Sequence, residues 1–163
     1  MKIMKKYYFA YGSNLSLNQV KERNLSMKLL HLGILEHYKI MFNKRSKKNP
    51  LEGFANIVPS WNDFVVGAIF EIIDEADIKI LDKFEGYPIH YEKTNIHVQS
   101  VDKKGFYLHE SLFPCLTYIA TSEMQSSKNL KVSEVYSQKM NEGLELLEEI
   151  PNEYKDKIKN LMK

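Results

Sequence analysis

The chain has 163 residues, 44% of them hydrophobic and 12% aromatic, with a formal net charge of +2. That length suits one domain spanning residues 1–163, and the ten tyrosines and eight phenylalanines favour sheet over a purely helical bundle. Scattered lysines with no basic stripe argue against a nucleic-acid binder, and a single cysteine, Cys115, excludes an internal disulfide and a multi-cysteine zinc site.

Tyr7 to Tyr11 reads as a strand apolar on both faces, hence a covered one. Gly12-Ser13-Asn14 stops it with turn chemistry, and Ser16-x-x-Gln19 is a capping-box pattern opening a short helix to about Arg23 or Asn24. Tyr38, Ile40 and Phe42 alternate as in a strand, and Lys44 to Glu52 reads as a loop. Gly53–Pro59 and Val65–Ile73 read as two strands joined across residues 60–63.

From Asp74 to Phe84 the spacing becomes helical, with Asp74 as N-cap and Asp77 in an acidic first turn. Ile73, Ala76, Ile80 and Phe84 form one apolar stripe, with Ile78, Leu81 and Glu85 beside it. Gly86 is a natural stop and Pro88 prevents continuation. Residues 91–101 and 113–120 read as strands, with a turn at Lys103-Lys104-Gly105 and a buried thiol at Cys115. Residues 122–131 read as a flexible loop. Ser133 caps a helix carrying Tyr136, Met140, Leu144 and Leu147 on one face, Pro151 ends it, and a last helix presents Tyr154, Ile158 and Leu161. Strands early and a long helix late predict an α+β fold: a small, mainly antiparallel, barrel-like sheet with flanking helices. No stretch approaches the ~20 apolar residues of a membrane helix, which places the chain in the cytoplasm with no membrane partner.

Two places carry candidate chemistry. Backbone amides at Gly12-Ser13-Asn14, between strand and helix, suit a carboxylate or phosphate, and Gly12 permits close approach. The same turn serves equally as a plain connector. Ser13 as a nucleophile lacks both glycines of the Gly-x-Ser-x-Gly elbow. The second place is Glu85. It stands at the negative end of a helix dipole and on the buried side, and both raise its pKa toward that of a proton shuttle; the alternative is a surface glutamate on a frayed turn. The five histidines show no metal-binding spacing, and no glycine-rich nucleotide motif is present.

Together, Tyr8-Phe9-Ala10-Tyr11-Gly12-Ser13-Asn14-Leu15 and Leu81-Asp82-Lys83-Phe84-Glu85-Gly86-Tyr87 resemble the signature and the glutamate segment of the γ-glutamylcyclotransferases, AIG2-like proteins included. Residues 53–57 and 66–70 fit two middle strands of that family, and residues 116–119 resemble a strand with a substrate-contacting tyrosine. The closing stretch, Ser133 to Tyr154, fits the family's last helix. Residues 87–91 depart from the animal enzymes and are similar to bacterial relatives. The resemblance implies a mixed fold with a cavity at one end of a barrel-like sheet. It implies an acyltransferase-type reaction, with no cofactor and no metal, in which a γ-glutamyl group cyclises to 5-oxoproline and releases an amine or amino acid. It further implies Glu85 as general acid and base, and Tyr8, Phe9, Ala10, Tyr11, Gly12, Ser13, Asn14 and Tyr118 as substrate-binding residues. The partner is a small γ-glutamyl molecule. The glutathione-specific relatives carry a different N-terminal motif, which argues against glutathione. Oligomeric state stays open, a homodimer included, as does a non-catalytic protein that holds a glutamate-like anion in the same cavity.

Overall fold

The computed structural model describes residues 4–101, 107–146 and 150–163. The expected turn at 103–105 and Leu147 lie outside the described residues.

Five strands, β1 (Lys6–Ala10), β2 (Lys28–Arg45), β3 (Gly53–Ile72), β4 (Tyr91–Val101) and β5 (Tyr107–Ala120), close into a barrel in the order β1-β3-β2-β4-β5. Every pairing is antiparallel except β1 with β5, which run parallel. The α+β, mainly antiparallel expectation therefore holds, and closure removes the sheet edges that an open arrangement would expose. β1 sits between β3 and β5, which is why a strand apolar on both faces is tolerated: Tyr8, Phe9 and Ala10 are all buried. The four helices are α1 (Leu17–Glu22), α2 (Ala76–Glu85), α3 (Glu134–Leu146) and α4 (Asn152–Leu161).

Several boundaries moved. The two strands expected at 53–59 and 65–73 are one, β3, which pairs with β2 on both sides of residues 60–63. The polar residues 60–63 are absorbed at a register shift opposite Glu36 and Tyr38, so turn-like composition marked an irregularity in a hairpin rather than its end. β2 likewise runs on to Arg45, into the expected loop. Residues 122–131 are held by a 3-10 turn at Ser122–Met124 and by bridges from Gln125 to Lys44 and from Lys131 to Glu52. On α2, Leu81 is fully buried, Ile78 is half-buried, and Ile73 and Phe84 are 57% and 51% exposed, so the helix buries the Ile78–Leu81–Glu85 face rather than the first stripe. α3 begins as expected, with the Tyr136 N–H donating to the Ser133 hydroxyl, and it buries Met140 and Leu144. Cys115 is buried, and burial pushes its thiol up to about 12. Among the described residues no helix is long and apolar enough to cross a membrane.

The barrel closes tightly at Gly67, where a Cβ would lie 2.3 Å from the carbonyl oxygen of Ala10 and 2.8 Å from the Phe9 ring. A backbone carbonyl in a paired strand cannot withdraw. Gly67→Ala is expected to destabilise by about 1–3 kcal/mol, read as a lower urea midpoint with an unchanged slope.

Candidate active site

At one end of the barrel a cavity of about 830 Å³ opens among β1, its following turn, β2, β3, the end of α2, the start of β4 and the start of α3. Glu85 reaches it because of how α2 stops. Gly86 adopts φ 66°, ψ 34°, the left-handed conformation that glycine tolerates best. The Tyr87 N–H donates to Asp82 O at 2.9 Å and the Gly86 N–H to Lys83 O at 3.3 Å, a Schellman closure that fixes the last helical residue. Glu85 thus lies one turn from fully buried Leu81 and on the cavity wall. Its carboxylate receives no hydrogen bond among the described residues. Burial pushes its pKa up to about 7, although the cations Arg23 and Lys44 both pull it down.

Across the cavity, the turn after β1 is a 3-10 turn, Ser13–Leu15, ahead of α1. Only half of the capping box forms. The Gln19 N–H donates to the Ser16 hydroxyl at 3.4 Å, but the Gln19 side chain turns into the site and donates to Ser13 Oγ at 2.7 Å and Asn14 Oδ1 at 3.0 Å. Asn14 Oδ1 also accepts from the Arg23 guanidinium at 2.9 Å, while Asn14 Nδ2 donates to the Tyr8 hydroxyl at 3.0 Å. The Arg23 head lies 4.4 Å from the centre of the Phe84 ring, next to Glu85 in sequence. Asn14 therefore ties β1, the turn and Arg23 into one unit facing the carboxylate.

Five tyrosines line the cavity: Tyr8, Tyr11, Tyr91, Tyr118 and Tyr136. Burial raises the pKa of each hydroxyl, and the Glu85 charge raises each further, so all five stay protonated at neutral pH. Their hydroxyls differ in availability. Tyr11 donates to the Tyr118 carbonyl, Tyr91 to the Ala55 carbonyl at 2.8 Å, and Tyr118 to Asp82 Oδ1 at 2.6 Å. Tyr136 instead accepts from the Ala55 N–H at 3.2 Å, and burial pushes its pKa up to about 12.

Lys44 is only 4% exposed, with its Nζ 2.9 Å from His90 Nδ1 and within 5.5 Å of the Phe54 and Tyr91 ring centres. An ammonium can only donate, so Nδ1 accepts and the imidazole is neutral. Burial brings the lysine down to about 8, and the lysines Lys44 and Lys47, after burial, hold His90 below its usual value.

The residues expected from sequence divide. Tyr8, Tyr11, Gly12, Ser13, Asn14, Glu85 and Tyr118 all line the one cavity. Phe9 and Ala10 do not; both are enclosed in the barrel, where Gly67 packs against the Phe9 ring and the Ala10 carbonyl. Ser13 has no general base on its hydroxyl, which accepts from Gln19. Tyr118 contributes its ring, its hydroxyl being committed to Asp82, which Lys93 also holds at 3.0 Å. Sequence reasoning missed Arg23, Lys44, His90, Tyr91 and Tyr136. No periodic signal marked Lys44: the register of β2 shifts between Met41 and Lys44, which takes it off the face of Ile40 and Phe42.

The sequence profile of the family described as "Gamma-glutamyl cyclotransferase, AIG2-like" matches residues 8–139. The chain belongs to this family. No curated protein sequence matches it. Among solved structures, an uncharacterized protein from Homo sapiens is similar at 25% identity and TM-score 0.76, over 95% of this chain and 86% of that one. A structure described as gamma-glutamyl cyclotransferase is 24% identical with TM-score 0.74, covering 96% of this chain and 87% of that one. A yeast protein described as a cyclotransferase specific to glutathione shares the fold, at 11% identity and TM-score 0.69, over 98% and 96% of the two chains.

The raised Glu85 pKa has a stability consequence. An unfolded carboxyl ionises near its model value of 4.5 and the folded one near 7, so between those values the folded state binds more protons. Stability therefore falls as pH rises through that window. Glu85→Gln is expected to raise Tm by a few degrees at pH 8 and to lose that advantage below the unfolded pKa, as measured by thermal unfolding across pH.

Proposed function

We propose that this chain is a γ-glutamylcyclotransferase: it drives the α-amine of a γ-glutamyl group onto its own γ-carbonyl, forming 5-oxoproline and freeing an amine or amino acid. The observation that carries the reading is the Glu85 carboxyl, facing the Asn14–Arg23 unit across a tyrosine-lined cavity with a pKa pushed up to about 7. Membership of the family supports it.

The nucleophile is tethered to its electrophile, and holding the chain curled is worth about 7–11 kcal/mol of barrier in well-oriented systems. The Gly12–Asn14 turn, with Arg23 supplying charge, takes the substrate's α-carboxylate. The α-ammonium cannot attack while protonated. Glu85, its pKa pushed up to about 7, is a stronger base than an ordinary carboxylate and so takes that proton at less cost. As the C–N bond of the lactam forms, negative charge develops on the former carbonyl oxygen. Tyr136, which accepts from backbone N–H and keeps its own proton, is suited to donate to it, and Lys44 adds positive potential nearby. The tetrahedral centre then expels the leaving nitrogen, which Glu85 protonates with the proton it took, while the ring nitrogen gives up its second proton to the released amine, which departs as an ammonium. The sequence is balanced, requires no cofactor, and returns Glu85 to its carboxylate. Tyr118 and Asp82 act as a buttress for the cavity wall.

Glu85→Gln is expected to lower kcat by at least about 10²-fold with the fold retained, followed as 5-oxoproline by mass spectrometry from a panel of γ-glutamyl compounds. Turnover at near the parent rate, or tight binding of the panel by the parent chain with no product, overturns the proposal. The parent kcat/KM is expected to rise through about pH 7 as Glu85 ionises and to fall at more alkaline pH as the substrate ammonium is lost. At Gly12 a Cβ would stand 3.3 Å from the Tyr136 hydroxyl; Gly12→Val is expected to displace that hydroxyl and raise KM as well as lower kcat.

A further inference from the structure

The wall of the cavity is far more positive than the chain. Six cationic side chains line it, Arg23, Lys44, Lys47, Lys48, Lys83 and Lys139, against two carboxylates, Glu22 and Glu85, in a protein whose total is +2. These cations fall into two tiers. Arg23 and Lys44 lie inward beside Glu85 and are accounted for by the reaction. Lys139 is neutralised by Glu22 at 3.5 Å. Lys47, Lys48 and Lys83 remain: they are exposed, line the cavity, and make no ion pair among the described residues.

Two of these three are held in place by the backbone. The segment joining β2 to β3 is ordered by Ser46, whose hydroxyl accepts from the Lys48 and Asn49 N–H groups at 3.2 and 3.3 Å, while the Ser46 N–H donates to Glu52 O at 2.9 Å. Lys47 and Lys48 are thereby set on one lip, close enough to His90 for Lys47 to lower its pKa. Lys83 sits on α2, two residues before Glu85. Like charges on one rim repel, and no carboxylate among the described residues pairs with these three.

A γ-glutamyl head is itself zwitterionic, and its one carboxylate is met inside. The charge that complements the rim must come from the part of the substrate that leaves. We infer that the preferred leaving group is an acidic one with at least two negative charges, such as an acidic amino acid or an acidic peptide, selected by Lys47, Lys48 and Lys83. This inference rests on the cyclotransferase reading of the same site. A cationic leaving group, such as a lysine side chain or a polyamine, is disfavoured by the same field.

The test uses three near-isosteric donors, γ-Glu-Glu, γ-Glu-Gln and γ-Glu-Lys. Turnover is measured on the parent chain and binding by calorimetry on the Glu85→Gln variant. The order Glu over Gln over Lys is expected in kcat/KM and in affinity, with roughly tenfold between the extremes at low ionic strength, shrinking at high ionic strength as the exposed charges are screened. The triple variant Lys47→Glu, Lys48→Glu, Lys83→Glu is expected to reverse the order. Equal kcat/KM and equal affinity for the three donors would overturn the inference and leave the cyclotransferase reading standing. The expected order in binding, with no 5-oxoproline from any donor, would sink that reading while the charge selection held.

Discussion

A single carboxyl group placed where water solvates it poorly governs the arrangement around it. Glu85 sits at the end of α2, without a hydrogen bond among the described residues, and its burial outweighs the attraction of Arg23 and Lys44. Neither cation is free to approach and form a close pair. Arg23 is held by Asn14 and by the face of Phe84, and Lys44 by His90. Had either closed on Glu85, its pKa would fall and the group would become an inert anion. The polar network thus keeps charge near the carboxylate without quenching it.

The barrel makes that arrangement durable. β1 is paired on both sides, so the turn that follows it emerges from a fixed point, and Asn14 and Gln19 carry this rigidity outward to Arg23. On the other side, the Schellman closure at Gly86 fixes the helix end. Tyr118, on β5, donates to Asp82, one turn before Glu85, and so ties that helix to the barrel. The two halves of the site are joined through the sheet and need no direct bond with each other.

Much of this was legible in the residues. The stop at Gly86, the half-burial of Glu85 beside Leu81, the cap at Ser133 and the mainly antiparallel sheet all follow from local chemistry and periodicity. The failures share a cause: local composition was read without its partner strand. Residues 60–63 look like a turn because Ser60, Asn62 and Asp63 are polar, yet pairing with β2 resumes on both sides of them and makes one strand. Lys44 looks like surface because it is charged, yet a register shift in β2 between Met41 and Lys44 turns it into the cavity. Tyr91 and Tyr136 look like core because they are aromatic; only the cavity reveals that their hydroxyls face a common space. Gln19 fits a capping box, but a stronger pair of acceptors on Ser13 and Asn14 diverts it. In each case a contact distant in sequence decided between two locally reasonable outcomes.

The parallel seam between β1 and β5 also bears on how the chain acquires its shape. Tyr7 and Tyr8 register with Cys115 and Leu116, more than a hundred positions later. During synthesis the opening strand can zip onto β3 long before its second neighbour has left the ribosome. Until then it has one unpaired edge and the barrel remains ajar. The last step of assembly is therefore a long-range closure, slow by the ordinary rule that distant contacts form late, and the turn borne by β1 gains its final rigidity only when that seam is sealed.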